Sequence, residues 1–146
     1  MKVFVLCVLA TVVVSDNFTP KLNNPITGGE FTYYDASGSG ACGLPLTGCN
    51  AAVSASLFTP TSTWGPNAQG VYVLQDPVCE DKCVKIQYNG KTASFPITDK
   101  CPGCDANHVD LATKAFTVLE PNTAVGVAKD ATITYVDCSS TTVSTC

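Results

Sequence analysis

The sequence predicts a small, mainly β protein whose short strands close, or nearly close, into a barrel braced by disulfide bonds. Three observations lead to this fold class. Short runs rich in β-branched and aromatic residues alternate apolar and polar positions, as strands do. Eleven glycines and nine prolines among 146 residues interrupt these runs at short intervals. Nine cysteines are available to brace a chain that is too short to build more than a modest core.

Several segments have the composition of strands. The strongest signal is a hairpin in which two runs of alternating polarity flank Asn89-Gly90, a dipeptide that favours a tight two-residue turn. Its strands are predicted at residues 83–88 and 91–98. The other strands are predicted at residues 31–34, 71–74 and 132–136, where β-prone residues stand between turn-forming ones.

Two short helices are predicted from apolar residues that recur at helical spacing. The first covers residues 50–58, with Asn50 as its cap, and the second begins near Asp110 and ends at Leu119. Residues 59–70 are polar and contain two prolines, so they are predicted to form a loop. Trp64 lies in this loop, where we expect it to pack on the core rather than to serve as a ligand platform.

The chain is expected to form one domain behind a signal peptide. After Met1-Lys2, eleven of the next twelve residues are apolar, a run too short to cross a bilayer but typical of a secretory signal that is cleaved near Ser15. An N-terminal strand is the alternative. The expected organisation is a signal peptide at residues 1–15, a lead-in at 16–28, the barrel at 29–138 and a Ser/Thr-rich tail at 139–146.

Charge and hydropathy limit the classes of partner. The net charge of −4 argues against nucleic acid as a partner. Beyond the predicted signal peptide, no segment of the sequence is apolar and long enough to cross a membrane. We therefore expect a secreted, extracellular monomer that has no membrane contact once the signal peptide is removed.

The cysteines predict a disulfide framework. Cys7 leaves with the predicted signal peptide, and the remaining even number in a secreted chain is typical of bridges whose pairing the sequence leaves open. A zinc site formed by Cys79, Cys83, Cys101 and Cys104 is an alternative with tolerable spacing. A redox role for the last two fits less well, because they follow a strand instead of opening a helix. We predict no metal and no cofactor.

Residues 94–116 concentrate the side chains with chemical potential. This segment holds Asp99 after a predicted strand, the only histidine, His108, and Asp110 at the predicted start of a helix. The Cys101-Pro102-Gly103-Cys104 turn lies between the two aspartates, so they flank one loop. A carboxyl group in a groove near a second carboxylate has a raised pKa and is able to donate a proton or a hydrogen bond.

Five motifs occur in the order found in the expansin superfamily. The chain resembles the single-domain, loosenin-type members of that superfamily over roughly residues 29–138. The resemblance implies a six-stranded double-psi β-barrel whose open groove binds cell-wall polysaccharide, cellulose or chitin, and loosens it without cleaving bonds. The motifs are Thr32-Tyr33-Tyr34, Gly40-Ala41-Cys42-Gly43, Cys83-Val84-Lys85-Ile86, Thr98-Asp99-Lys100-Cys101-Pro102-Gly103-Cys104 and His108-Val109-Asp110-Leu111.

The resemblance also implies roles for individual residues. Thr32 and Tyr34 match the superfamily's Thr-x-Tyr on the first strand and are expected to bind the sugar. Asp110 matches the aspartate of His-Phe-Asp-Leu, with Val109 in place of Phe, and is the candidate catalytic acid. Asp99 is the candidate to hold that acid in place or to bind sugar hydroxyls. A helix cap is the alternative role for Asp110.

The superfamily pattern favours two disulfide pairings, Cys42 with Cys79 and Cys83 with Cys138. It leaves the pairing of Cys49, Cys101, Cys104 and Cys146 open. His108 is expected to be a loop residue rather than a base.

Three functions remain in view. Hydrolysis by inversion needs a second carboxylate as base, and by alignment with the related family 45 glycoside hydrolases Ala36 takes its place, with Asp35 one residue short. We therefore favour loosening without hydrolysis and expect no enzymatic activity, with an endo-β-1,4-glucanase as the enzymatic alternative. The third class is a secreted cysteine-protease inhibitor or defence protein that acts through a loop at residues 67–75 or 101–107.

Overall fold

The computed structural model describes residues 16–146, so the predicted signal peptide and Cys7 lie outside the described residues. Six strands form a closed barrel, and two more form a separate hairpin. The barrel strands are β1 (Ile26–Tyr34), β2 (Ala51–Ser54), β5 (Lys82–Tyr88), β6 (Lys91–Cys101), β7 (His108–Ala112) and β8 (Ala128–Asp137), and the hairpin strands are β3 (Thr63–Pro66) and β4 (Tyr72–Gln75).

The strands follow the order β1-β7-β2-β6-β5-β8 around the barrel. Two neighbouring pairs, β1 with β7 and β2 with β6, are parallel, and the other pairs are antiparallel. This arrangement confirms the predicted mainly β class and the six-stranded double-psi barrel. The parallel pairs matter most for the site, because they bring together segments that are far apart in the sequence.

Apolar side chains fill the barrel, and Phe31, Ile86 and Phe95 are fully buried. The α-helix of the described residues, α1 (Thr113–Leu119), buries Phe116 against the barrel, with its ring 5.2 Å from that of Phe31. Aromatic pairs at this distance add to the stabilisation from burial. This packing holds β1 in place next to β7.

The prediction of a helix at residues 50–58 is wrong. Ala51–Ser54 form β2, and a single 3-10 turn follows at Ala55–Leu57. All of β2 is buried because the strand lies between β7 and β6. A strand buried on both faces lacks the alternation that identifies strands, so its apolar spacing reflects burial and not a helical face.

Helix α1 begins at Thr113, three residues after the predicted start at Asp110. The intervening residues stay extended because β7 pairs with β1 on one side and with β2 on the other. Ala112 occupies the N-cap position, so the alternative role of Asp110 as a helix cap is wrong. The predicted loop at residues 59–70 likewise contains β3, whose glycine and proline are uncommon within strands.

Four disulfide bonds join the eight cysteines of residues 16–146. Cys42–Cys79 and Cys83–Cys138 are paired as the resemblance implied. Cys49–Cys146 and Cys101–Cys104 complete the set. The zinc alternative, which required free thiols, is therefore wrong, and no cluster of three potential metal ligands occurs in this range.

Residues 139–146 are tied to the barrel. The backbone N–H of Ser144 donates to the carbonyl of Ser94 over 2.8 Å, and the N–H of Ser94 donates to Oγ of Ser144 over 3.1 Å. The Cys49–Cys146 bond anchors the same segment. Because β2 pairs with β6 only from Ile97 onward, the tail covers an edge of β6 that would otherwise be open to pairing with another chain. Within residues 16–146, no helix has both the length and the apolar character that crossing a membrane requires.

Candidate functional site

Three of the predicted site residues lie in one row across four neighbouring strands. Thr32 is opposite Asp110 in the β1–β7 pair, and Asp110 is opposite Ala52 in the β7–β2 pair. Ala52 is in turn opposite Asp99 on β6. Directly opposed residues point to the same face of a sheet, so the two carboxyl groups share one surface with a single methyl group between them.

Asp110 is partly buried and accepts a hydrogen bond from the hydroxyl of Thr32 over 2.9 Å. Burial raises the pKa of Asp110 above its ordinary value, because it disfavours the charged form. The hydrogen bond from Thr32 and the charge of His108 lower that pKa, while the charge of Asp99 raises it further. Burial thus makes the charged form of Asp110 less favourable than it is for an exposed aspartate.

Asp99 is fixed in orientation by three hydrogen bonds. Its Oδ2 accepts from the hydroxyl of Tyr34 over 3.0 Å. Its Oδ1 accepts from the backbone N–H groups of Ala41, over 2.8 Å, and Lys100, over 2.9 Å. With three hydrogen bonds fixing its orientation, Asp99 is suited to holding a position beside Asp110.

Tyr34, the fourth predicted site residue, extends the network towards the core. Its hydroxyl accepts from Nδ2 of Asn50 over 3.0 Å while it donates to Asp99. Burial, followed by the charge of Asp99, raises the pKa of Tyr34 far above its ordinary value, so the hydroxyl remains a donor. Asn50 is fully buried, and the structure gives it this supporting role instead of the predicted helix cap.

His108 is a member of the site and not a loop residue, contrary to the prediction. It is the first residue of β7, and its Nε2 lies 2.9 Å from Oγ1 of Thr32. Its Nδ1 lies 3.4 Å from Oε1 of Glu30, the residue opposite it on β1. Glu30 and His108 each lie two positions before a predicted site residue. That spacing puts residues on the same face of a strand, and it is the signal in the sequence that could have found them.

Asp35 does not join the row. It follows Tyr34, the last residue of β1, and is exposed. Together with Ala36 and Lys114 it lines a cavity of about 420 Å³. Asp35 therefore does not supply the row with a second catalytic carboxylate to act as a base beside the candidate acid Asp110.

The β3–β4 hairpin displays two aromatic side chains to solvent. Trp64 is 48% exposed and Tyr72 is 64% exposed, and their rings stack with centroids 6.0 Å apart. The edge of the Trp64 ring lies against the backbone at Gly43. The expectation that Trp64 packs in the core is therefore wrong.

No protein-family model matches the chain. Over 94 residues the chain is 39% identical to the papain inhibitor of Streptomyces mobaraensis, a match that covers 64% of this chain and 60% of the inhibitor's length. A solved structure, that of the Streptomyces papain inhibitor, is 36% identical and superposes with a TM-score of 0.63, covering 79% of this chain and 96% of that one. The chain belongs to the papain-inhibitor family.

The barrel of this papain-inhibitor family member is also that of the expansins. A mutant of the Clavibacter michiganensis expansin, solved in complex with cellohexaose, matches 75% of this chain and 50% of the expansin chain with a TM-score of 0.51. Its sequence is 17% identical, so this likeness shows the fold alone. The two structures together confirm the double-psi barrel fold that the motifs implied.

Proposed function

We propose that this protein is a secreted inhibitor of papain-type cysteine proteases. The observation that carries the proposal is 36% identity over 96% of the solved papain inhibitor chain. This was the third of the functions considered from the sequence. It now takes precedence over polysaccharide loosening, since the expansin match is limited to the fold.

The architecture supports an inhibitory role. Four disulfide bonds and a closed barrel give the surface loops a fixed conformation. A loop held in its bound conformation loses little entropy on binding, which is the general advantage of a rigid inhibitor. Disulfides of this number persist in oxidising surroundings, in keeping with action outside the cell.

The test is inhibition of papain hydrolysing a fluorogenic peptide, measured against inhibitor concentration. We expect saturable inhibition that approaches full loss of activity at a one-to-one molar ratio. Trypsin serves as the control protease, and the reduced and alkylated protein serves as the control for fold. Unchanged papain activity at a large molar excess of the folded protein would refute the proposal.

Polysaccharide binding at the row of Thr32, Asp110 and Asp99 is a second candidate function. The observation that favours it is the placement of Thr32, Asp110 and Asp99 on one surface, since hydroxyl and carboxyl groups are suited to hydrogen bonding with sugar hydroxyls. A general acid alone does not activate water, so this candidate takes the form of binding or loosening without hydrolysis, with the glucanase as its enzymatic variant.

A retention assay on insoluble cellulose and chitin tests the second candidate. If the row binds sugar, Tyr34→Ala reduces retention more than Trp64→Ala, and Asp110→Asn abolishes loosening of filter paper. Equal retention of the wild type and a folded Tyr34→Ala variant would exclude Tyr34 from a sugar site, and equal retention of the wild type and Asp110→Asn would exclude the row. Reducing ends released by the wild type and lost in Asp110→Asn would instead establish the glucanase.

A further inference from the structure

The longest uncharged part of the described chain contains the β3–β4 hairpin. No Asp, Glu, Lys, Arg or His occurs between Asp35 and Asp76, although the protein as a whole carries a net charge of −4. Burying charged groups costs desolvation energy, and the buried centres of protein interfaces are depleted in charge. The hairpin itself can therefore be covered by a partner without that cost. Charged groups meet it at one side, where Glu80, Asp81 and Lys82 line a cavity together with its tip.

The hairpin also carries the apolar groups that an interface centre requires. Trp64, Val71 and Tyr72 are all exposed, and the first and last of these stack on each other. Tryptophan and tyrosine are the residues most often found among the few that supply most of the binding energy. In the described residues, the other exposed large apolar side chains lie elsewhere on the chain, at Tyr33, Val125, Val127 and Val143.

The base of the hairpin is fixed by a buried carboxylate and a disulfide. Asp76 is fully buried and accepts hydrogen bonds from the N–H of Thr59, the hydroxyl of Ser62 and the N–H of Val78. The N–H of Leu74 donates to the carbonyl of Cys42, whose sulfur is bonded to Cys79. Gly43 has φ +81° and admits the edge of the Trp64 ring where a Cβ would collide.

The tip of the hairpin is closed by Asn67. Its N–H donates to the carbonyl of Val71, and its side-chain Oδ1 accepts from the N–H groups of Gln69 and Val71. Gly70 has φ +78° and donates its N–H to the carbonyl of Asn67. The tip is therefore held in one conformation by its own hydrogen bonds.

We infer that the β3–β4 hairpin is the segment that enters the active-site cleft of the inhibited protease, an inference that rests on the proposed function. Strands of four residues span about 13 Å, and the hairpin forms a two-stranded sheet of its own outside the barrel. The row of Thr32, Asp110 and Asp99 is lined by titratable groups and fits this role less well. The other loop considered, residues 101–107, carries Asp105 and lacks an aromatic side chain.

The experiment compares inhibition constants for papain. Trp64→Ser combined with Tyr72→Ser should raise the constant about 100-fold or more, because it removes two central aromatic contacts. Val125→Ser combined with Val127→Ser is the matched control, since these side chains are also exposed, and should change it less than about 3-fold.

A second pair of variants guards against loss of fold. Ala68→Arg places a charged, bulky side chain at the exposed tip and should weaken inhibition by a similar factor. Ala124→Arg makes the same change at an exposed position outside the hairpin and should leave inhibition as it is.

The outcomes separate this inference from the proposed function. Wild-type protein that fails to inhibit papain refutes the proposed function. If the wild-type protein inhibits papain and both hairpin variants inhibit it equally strongly, the inference alone is overturned. If the hairpin variants keep inhibition but lose retention on cellulose, or lose a dimer that the wild type forms in sedimentation, the surface serves sugar or a second copy, and the inference is again overturned.

Discussion

Thr32 on β1 donates its hydroxyl hydrogen to Asp110 on β7, and the two residues are 78 positions apart in the sequence. This bond ties the carboxyl group with the raised pKa to the strand that also carries Tyr34. The parallel pairing of β1 with β7 sets the bond, since Thr32 is directly opposite Asp110. Substitutions in this network should therefore change the free energy of unfolding, by amounts that depend on the protonation of Asp110 and on the burial of its neighbours.

Asp110→Asn should change how stability depends on pH. The raised pKa in the folded state means that the native protein binds this proton more tightly than the unfolded chain does. The free energy of unfolding of the wild type, relative to the variant, should fall as pH rises from about 4 through the folded-state pKa, and then level off. Water reaches this side chain, so we expect a change of less than about 1 kcal/mol.

Urea denaturation of both proteins between pH 3 and pH 8 measures this difference. Asparagine keeps an acceptor for Thr32, so the variant controls for the hydrogen bond itself. A wild type that gains stability relative to the variant over the same range would contradict the raised pKa.

Tyr34→Phe should destabilise the fold, although the substitution removes only one oxygen atom. The amide of Asn50, which is fully buried, would lose its acceptor, and Asp99 would lose a donor. An unsatisfied buried group costs about 1–3 kcal/mol. Tyr33→Phe is the matched control, because that ring is partly exposed, and it should change the free energy of unfolding by less than about 0.5 kcal/mol.

Chemical denaturation at pH 7 distinguishes the two tyrosines. Equal effects would mean that the Tyr34 hydroxyl does not support Asn50.

Asp76→Asn should loosen the hairpin. The carboxylate accepts three hydrogen bonds with both of its oxygens, and an amide presents only one oxygen, so one of its NH₂ hydrogens faces a donor. We expect a loss of about 2–3 kcal/mol in stability. Asp81→Asn, at an exposed position with φ +51° that asparagine tolerates, should have little effect.

The protein has one tryptophan, Trp64, so its fluorescence reports on the hairpin directly. We expect an earlier fluorescence transition in urea for Asp76→Asn than for Asp81→Asn. Coincident transitions for the two variants would show that the hairpin does not depend on the buried carboxylate.

The disulfide bonds should differ in their contribution to stability. Cys49–Cys146 links residues 97 positions apart, whereas Cys101–Cys104 spans 3 positions. Removal of Cys49–Cys146 should cost about 4 kcal/mol, because Cys83–Cys138 already shortens the loop that it closes. Removal of Cys101–Cys104 should cost about 2 kcal/mol.

Paired Cys→Ser variants of each bridge, compared by denaturation without reductant, measure the two costs. A larger loss for the Cys101–Cys104 pair would show that contacts in the native loop outweigh loop closure.

The sequence was most informative where structure is local. Asn89-Gly90 located the β5–β6 hairpin, and its second strand delivers Asp99 to the site. It was least informative where a residue's role depends on a distant strand. The spacing of His108 two residues before Asp110 indicates which face of the strand it shares, but its contact with Thr32 exists only because β7 lies parallel to β1.

Burial explains the remaining errors in the prediction. Strand β2 lies between two neighbouring strands and shows no polar alternation, so its sequence predicts a helix. Trp64 was expected in the core because large aromatic side chains are usually buried, yet its strand belongs to a hairpin outside the barrel. The motif order supplied the barrel's topology, which periodicity alone does not encode.

The pairing of β1 with β7 has a consequence for how the molecule folds. Contacts between Thr32 and Asp110, and between Tyr34 and Asp99, close loops of 78 and 65 residues. Proteins dominated by such distant pairings fold slowly, on a scale of milliseconds to seconds, because the chain loses the entropy of loop closure before the contacts stabilise it. Thr32 and Asp110 meet only once β7 lies beside β1, so a partly folded chain in which β7 is unpaired lacks the hydrogen bond between them.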